Sequence, residues 1–254
     1  MRKFFLIFIA GFVGASCSND DTKEKLNSEE NSIMTKSSAT PSIGELHNQG
    51  LENMYSYLSS IPDLNSTNIH DYSKSFLSSN YNQEASDYYS LTVDGFDFNQ
   101  QFSEEFNNEI AYLYHQLDEG LIDFDNFSDF STYMYSYNTM YIHTTNDLKA
   151  WEVYVDIFVH SLDYWSTNLD KWQTLLEQNN ASNSILNDNK KCSEGSWLKR
   201  TWCNTKKFVG ADVGGGASNV IGLLLASKAI VFGPVAGVAL GASAAAVIID
   251  LIGK

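Results

Sequence analysis

From residue 42 onward, apolar side chains recur three and four residues apart, the spacing of helices that bury one face. The first run sets Ile43, Leu46, Leu51, Met54, Leu58 and Ile61 on one side. Thr40 and Pro41 precede it, Glu45 follows Ser42 by three residues as in a capping box, and Pro62 stops it. A shorter helix is predicted over Ile69 to Leu77. After an aromatic loop containing DGFDF, a stripe of Phe102, Phe106, Ile110, Leu113 and Leu117 ends at Gly120, and a fourth helix passes through Phe130, Tyr133, Tyr137 and Met140. The fifth has the clearest period: Leu148, Trp151, Val155, Phe158, Leu162, Trp165, Leu169, Trp172 and Leu176 alternate for four heptads. Such a seam suits a coiled-coil dimer, but its bulky tryptophans favour the central helix of a monomeric bundle.

The last part of the chain changes texture. Small residues fall four apart in two frames, Gly210, Gly214, Ser218, Gly222 and Ala226, then Gly233, Gly237, Gly241 and Ala245. Each set lies on one helix face, with Gly233 and Pro234 at the turn between, so residues 208–254 are predicted to form a glycine-zipper helical hairpin. The fold class is therefore all-α, a helical bundle followed by that hairpin. The uncharged run from Ala229 to Ile249 is broken by its turn into arms at the short end of the spanning range. Two readings stay open: the hairpin enters a membrane, or it is buried within the fold.

Charge separates these regions. Residues 42–187 carry 22 Asp and Glu against Lys74, Lys149 and Lys171, a net of −19, so phosphate repulsion argues against nucleic acid as a partner. Residues 188–207 reverse the sign, with Lys190, Lys191, Lys199, Arg200, Lys206 and Lys207 around Trp197 and Trp202. Tryptophan among cations suits a membrane interface, and it equally suits docking on the acidic body of the same chain. Cys192 and Cys203 are expected to pair in an exported protein, the alternative being two free thiols on a helix.

No enzyme motif stands out. HExxH, GxSxG and GKS or GKT are absent, and His47, His70, His115, His143 and His160 are scattered one per element or loop. Asp123, Asp125 and Asp129 in DFDNFSD lack the glycine and distal glutamate of an EF-hand loop. No catalytic residue, metal or cofactor is expected.

The N-terminus sets the compartment. Arg2 and Lys3 precede the apolar core FFLIFIAGFV and then GASC, the layout of a signal peptide over residues 1–16. GASC resembles the lipobox of bacterial lipoproteins, with Gly14 where leucine is usual. That resemblance implies lipidation of Cys17 and palmitate-type acylation, the alternative being an ordinary signal peptide cleaved at the same place. SNDD after Cys17 resembles the acidic export signal of surface-exposed lipoproteins of Bacteroidota. Residues 17–41 otherwise form a polar tether without aromatic residues or apolar periodicity.

Together with SIGELHNQGL near the start of the body and VGADVGGGASNVIG in the tail, the chain resembles uncharacterised Bacteroidota lipoproteins. The tail alone resembles glycine-zipper segments of bacteriocin-like peptides. These resemblances imply an exported protein held on the outer membrane or cell surface by acylated Cys17, with the C-terminal hairpin inserting into or permeabilising a membrane. Membrane lipid is the implied partner, with self-association or an immunity-type or surface protein as further candidates. The alternative is a structural or binding lipoprotein in which the hairpin belongs to the core.

Overall fold

The computed structural model describes residues 41–96, 98–178, 192–226, 230 and 232–252. The expected signal peptide, Cys17, the tether, Lys190 and Lys191 lie outside the described residues. Within them the chain forms eight α-helices and one short 3-10 turn, with no strand.

The first helix, α1 (Ile43–Ser59), begins as its sequence dictates. The Ser42 hydroxyl accepts from the Glu45 amide while the Glu45 carboxylate accepts from the Ser42 amide, so two orphan donors are satisfied reciprocally. Next come α2 (Ile69–Asn80) and α3 (Gln83–Val93), the latter capped by the Asn82 side chain and absent from the sequence reading. Ser103 caps α4 (Glu104–Asp118), and Gly120 follows it at φ +67°, a left-handed turn that favours glycine. The next helix, α5 (Phe127–Tyr135), is capped by Asn126 and ends before Tyr137 and Met140, which the sequence had continued in helix. The buried Glu109 carboxylate explains the stop. It accepts from the backbone amides of Met140 and Tyr141, both at 2.7 Å, and from the Tyr137 hydroxyl at 3.0 Å, holding the chain in a loop there.

The heptad run becomes α6 (Thr145–Gln178), and its bulky seam is internal: Trp165, Trp172, Phe158 and Leu162 are fully buried, whereas Leu148 near the start is exposed. Two helices follow, α7 (Trp197–Leu225) and α8 (Phe232–Ile252), packed against each other. A second central element is α8, which also lies on α3 and α1, with lighter contact to α2 and α6. From Val235 to Ile248 nearly every side chain is buried. Five of them, Val235, Val238, Leu240, Val247 and Ile248, are wholly out of solvent and together contribute on the order of 10 kcal/mol as an upper bound. That is comparable with the net stability of a whole domain, so the bundle depends on α8.

Close approach explains several glycines. At Gly44 a Cβ would stand 2.5 Å from the Asp156 carbonyl of α6, and at Gly241 one would stand 2.2 Å from the Ala85 carbonyl of α3. Both are backbone collisions, which no rotamer change relieves.

Candidate functional site

The residues assigned to a membrane interface, Trp197, Lys199, Arg200, Trp202, Lys206 and Lys207, form the first turns of α7. The Ser196 side chain caps α7 by accepting from the Lys199 amide, and its hydroxyl also donates to Asp123. Trp202 is only 2 % exposed. Its indole N–H donates to Asp118 at 2.7 Å, and its ring lies edge-on to Tyr114 and tilted against Phe158. The Lys206 ammonium reaches the same Asp118 carboxylate at 3.1 Å. Trp197 rests against Phe127 and Phe130, and the Leu198 amide donates to the Phe124 carbonyl at 3.0 Å. The Arg200 guanidinium is bonded to the Gly195 carbonyl, and Lys199 folds its stem over Gly195. Lys207 is exposed. In this conformation the segment docks on the acidic helical body. The Trp202 ring is covered by Tyr114 and Phe158 in that conformation. The Lys206–Asp118 pair is half-exposed, so it orients more than it stabilises.

Cys192 and Cys203 form a disulfide with Cα atoms 6.1 Å apart, tying the entry to α7 onto its second turn. Asn204 reinforces the closure by accepting from the Cys192 amide at 3.1 Å and donating to the Cys192 carbonyl at 3.3 Å. Breaking the bridge with paired Cys→Ser changes is expected to lower unfolding free energy by about 3 kcal/mol, from the unfolded-state entropy of so short a loop. Denaturant titration of wild type and the double variant measures it. A shift below about 1 kcal/mol would mean that the docked segment holds its place without the bridge.

The two predicted small-residue faces do not meet each other. On α7, Gly210 faces the Tyr114 hydroxyl and Gly214 faces Phe98, while the Ser218 hydroxyl turns back to the Gly215 carbonyl. Gly222 has open space around it, and Ala226 is exposed at the C-cap. On α8, Gly237 faces Tyr81 and Gly241 faces α3, while Gly233 is open and Ala245 is buried. The close α7–α8 approach runs through other residues. A Cβ on Gly215 would come within 2.7 Å of the Ala242 methyl, and one on Gly216 within 3.3 Å of the Ala239 methyl. With glycines at 214, 215 and 216, α7 has a small surface on several sides. Spacing of four marks such faces but does not say which neighbour each one meets.

Further along α7 lies a polar cluster that the sequence did not reveal. Asp212 of α7 is fully buried. Its carboxylate accepts from the Ser161 hydroxyl and, at 3.0 Å, from the Trp165 indole of α6. His47 Nε2 of α1 stands 3.5 Å away, and its Nδ1 faces Asn48 Oδ1 at 3.1 Å. Ser161, His47 and Asp212 are all 0 % exposed. The serine hydroxyl is spent on the carboxylate rather than on the imidazole, which differs from a nucleophile held by its base. What the cluster does is join three helices.

A second carboxylate, Asp156, accepts from the Gly44 amide at 2.7 Å and the Tyr135 hydroxyl at 3.0 Å, with His160 Nε2 at 3.6 Å. It thus holds the N-terminus of α1 on α6. His70 Nδ1 lies 2.8 Å from the Tyr89 hydroxyl, and burial pulls the His70 pKa below its ordinary value. His115 and His143 are exposed. Asp129 belongs to the cap of α5, where its amide donates to Asn126, and Asp123 is engaged by Ser196. Among the described residues no three His, Cys, Asp or Glu side chains are grouped as metal ligands. Nor is any helix among the described residues long and apolar enough to cross a membrane.

Among the described residues an open groove of about 390 Å³ lies between α4, α6 and α7, and another of about 330 Å³ lies between α1 and α2. Comparison with known proteins adds no outside guide: no family model, no curated protein and no solved structure matches the chain.

Proposed function

We propose that the chain is an exported lipoprotein, anchored through acylated Cys17, whose acidic helical domain is a binding module with α7 and α8 as its structural core. The observation that supports this reading is the burial of α8 along almost its whole length, with Gly241 seated on the backbone of α3. A helix fitted so tightly to three neighbours has its small faces already occupied. The lipobox-like GASC supplies the anchoring half, and the deficit of cations over residues 42–187 points to a cationic or uncharged partner.

Dye release from liposomes tests the core role. Full-length protein is expected to bind vesicles through its anchor without releasing trapped dye at neutral or acidic pH, and Cys17→Ala is expected to abolish labelling by a palmitate analogue. Release by wild type would overturn the core role, while persistent labelling of Cys17→Ala would overturn the anchor.

A second reading keeps the glycine-zipper hairpin as a bacteriocin-like membrane-inserting element. It is favoured by one feature: α8 carries no ionisable side chain from Gly233 to Ile249 and is apolar on every side. Against it stands length, since the uncharged part of α8 spans about 27 Å at helical rise, slightly under a hydrocarbon core of about 30 Å.

A further inference from the structure

The face where α4, α5 and the loop after α5 meet is rich in tyrosine. Tyr112 of α4 lies edge-on to Tyr141 with ring centroids 6.0 Å apart, and Tyr133 of α5 lies edge-on to Tyr137 at 5.9 Å. Tyr112 is close enough to act electrostatically on the Tyr133 and Tyr137 hydroxyls, so the four rings form one patch. Beside it Met140 is 54 % exposed and Tyr141 is 37 % exposed. The fold uses the backbone amides of these last two, which donate to Glu109, and leaves their side chains outward. Tyrosine and methionine are enriched where proteins meet, and contiguous exposed apolar surface marks such places.

Charge says which kind of partner fits. Beneath the patch lies the buried Glu109 carboxylate, held by two amides and the Tyr137 hydroxyl, all neutral donors. Glu105, one turn earlier on the same face of α4, is exposed. No Lys or Arg occurs between Lys74 and Lys149, so α4, α5 and the loop between Tyr135 and Thr145 supply no Lys or Arg of their own. A phenol that donates to a carboxylate is polarised, which enriches its ring in electrons and strengthens its pull on a cation. Burial, and after it Glu109, raises Tyr137 above the ordinary phenol range, so its hydroxyl keeps its proton and keeps donating. Elsewhere the same chain shows what this combination holds. The Lys171 ammonium stands 4.6 Å from the centre of the Tyr55 ring and 5.6 Å from that of Tyr164, and it pairs with Glu52.

We infer that the tyrosine patch is a docking surface for a cationic segment of a protein partner, with an arginine guanidinium laid over the rings and paired with Glu105 at the rim. A guanidinium is planar and weakly hydrated, so it stacks on tyrosine at less cost than an ammonium does. An anionic segment would meet the net −19 of the helical body, and an uncharged one would leave the carboxylates unmatched. The inference deepens the binding-module reading and rests on it.

Calorimetric titration of the full chain in zwitterionic nanodiscs with tetra-arginine, tetra-lysine and tetra-glutamine peptides, empty nanodiscs subtracted, tests it. Tetra-arginine is expected to bind saturably and more tightly than tetra-lysine, with no binding of tetra-glutamine. Tyr141→Ala, which keeps the backbone bond to Glu109, should fold as wild type does and weaken tetra-arginine binding about fivefold, and Tyr141→Arg should abolish it. Glu177→Gln is the control for charge alone. It is exposed near the end of α6, about 39 Å along that helix from the Trp151 that packs on Tyr137, and should bind as wild type does. Equal tetra-arginine binding by wild type and Tyr141→Ala, an equal loss in Glu177→Gln, or no preference for tetra-arginine over the other peptides would each overturn the site. Dye release by wild type in the vesicle assay would overturn the core reading instead, so the two failures are separable.

Discussion

Gly241→Leu is expected to prevent the bundle from forming, and Gly241→Ala to destabilise it by about 3 kcal/mol or more, at the upper end of overpacking penalties. The first added carbon already stands 2.2 Å from the Ala85 carbonyl oxygen and 3.1 Å from its carbon, so α8 and α3 must separate to admit it. The loss would spread along the interface because Ala85 and Tyr89 are fully buried there. Gly222→Ala is the matched control on a helix. Nothing lies within 4 Å of that position, so alanine should raise stability by up to about 1 kcal/mol. Thermal and denaturant unfolding of the two alanine variants gives the comparison. Similar stabilities would show that α3 and α8 can slide apart cheaply, and the view of α8 as a fitted core helix would fall.

The second large effect is expected at Asp212. Asp212→Leu strands the Trp165 indole N–H, the Ser161 hydroxyl and His47 Nε2 in a dry interior, at a cost of about 3 to 5 kcal/mol. Asp212→Asn retains an oxygen that can accept from Trp165 and should cost roughly half as much. Restoring an apolar cluster with Asp212→Leu, Ser161→Ala and His47→Leu together should recover much of the loss, because the cost lies in unpaired partners rather than in the missing charge. Urea titrations of the series measure this. No recovery in the triple variant would instead assign the cluster a packing role that its shape alone fulfils.

Much of the architecture could be read from residues that act locally. The capping box at Ser42 and Glu45, the stop at Gly120 and the heptads of α6 each describe one helix and need no knowledge of its neighbours. The missed helix, α3, shows the limit of that approach. Its buried residues are Ala85, Ser86 and Tyr89, only one of them large, so the buried face carries almost no hydrophobic periodicity. Small faces suit close packing and hide from a pattern search for the same reason. The end of α5 was missed because its determinant, Glu109, lies on another helix.

The candidate site was legible in composition and not in arrangement. Cys192 with Cys203, and Trp197 and Trp202 among their cations, stand out in the sequence itself. Their docking depends on Asp118 and Asp123, two acids among 22 in the body with nothing local to distinguish them. Asp212 was hidden differently. In VGADVGGG it reads as a stray charge on a helix of small residues, and only the fold brings Ser161, Trp165 and His47 around it.

The position of α8 in the chain bears on how the molecule assembles. It is the last described helix in chain order, yet α1, α3 and α7 close upon it. Contacts between α1 and α8 join residues nearly two hundred positions apart, so their loop-closure entropy is offset only once the final segment arrives. Until then the earlier helices have an unfilled trough where α8 belongs. A chain built this way stays loosely structured until α8 is in place, so docking of α8 is the step that closes the core.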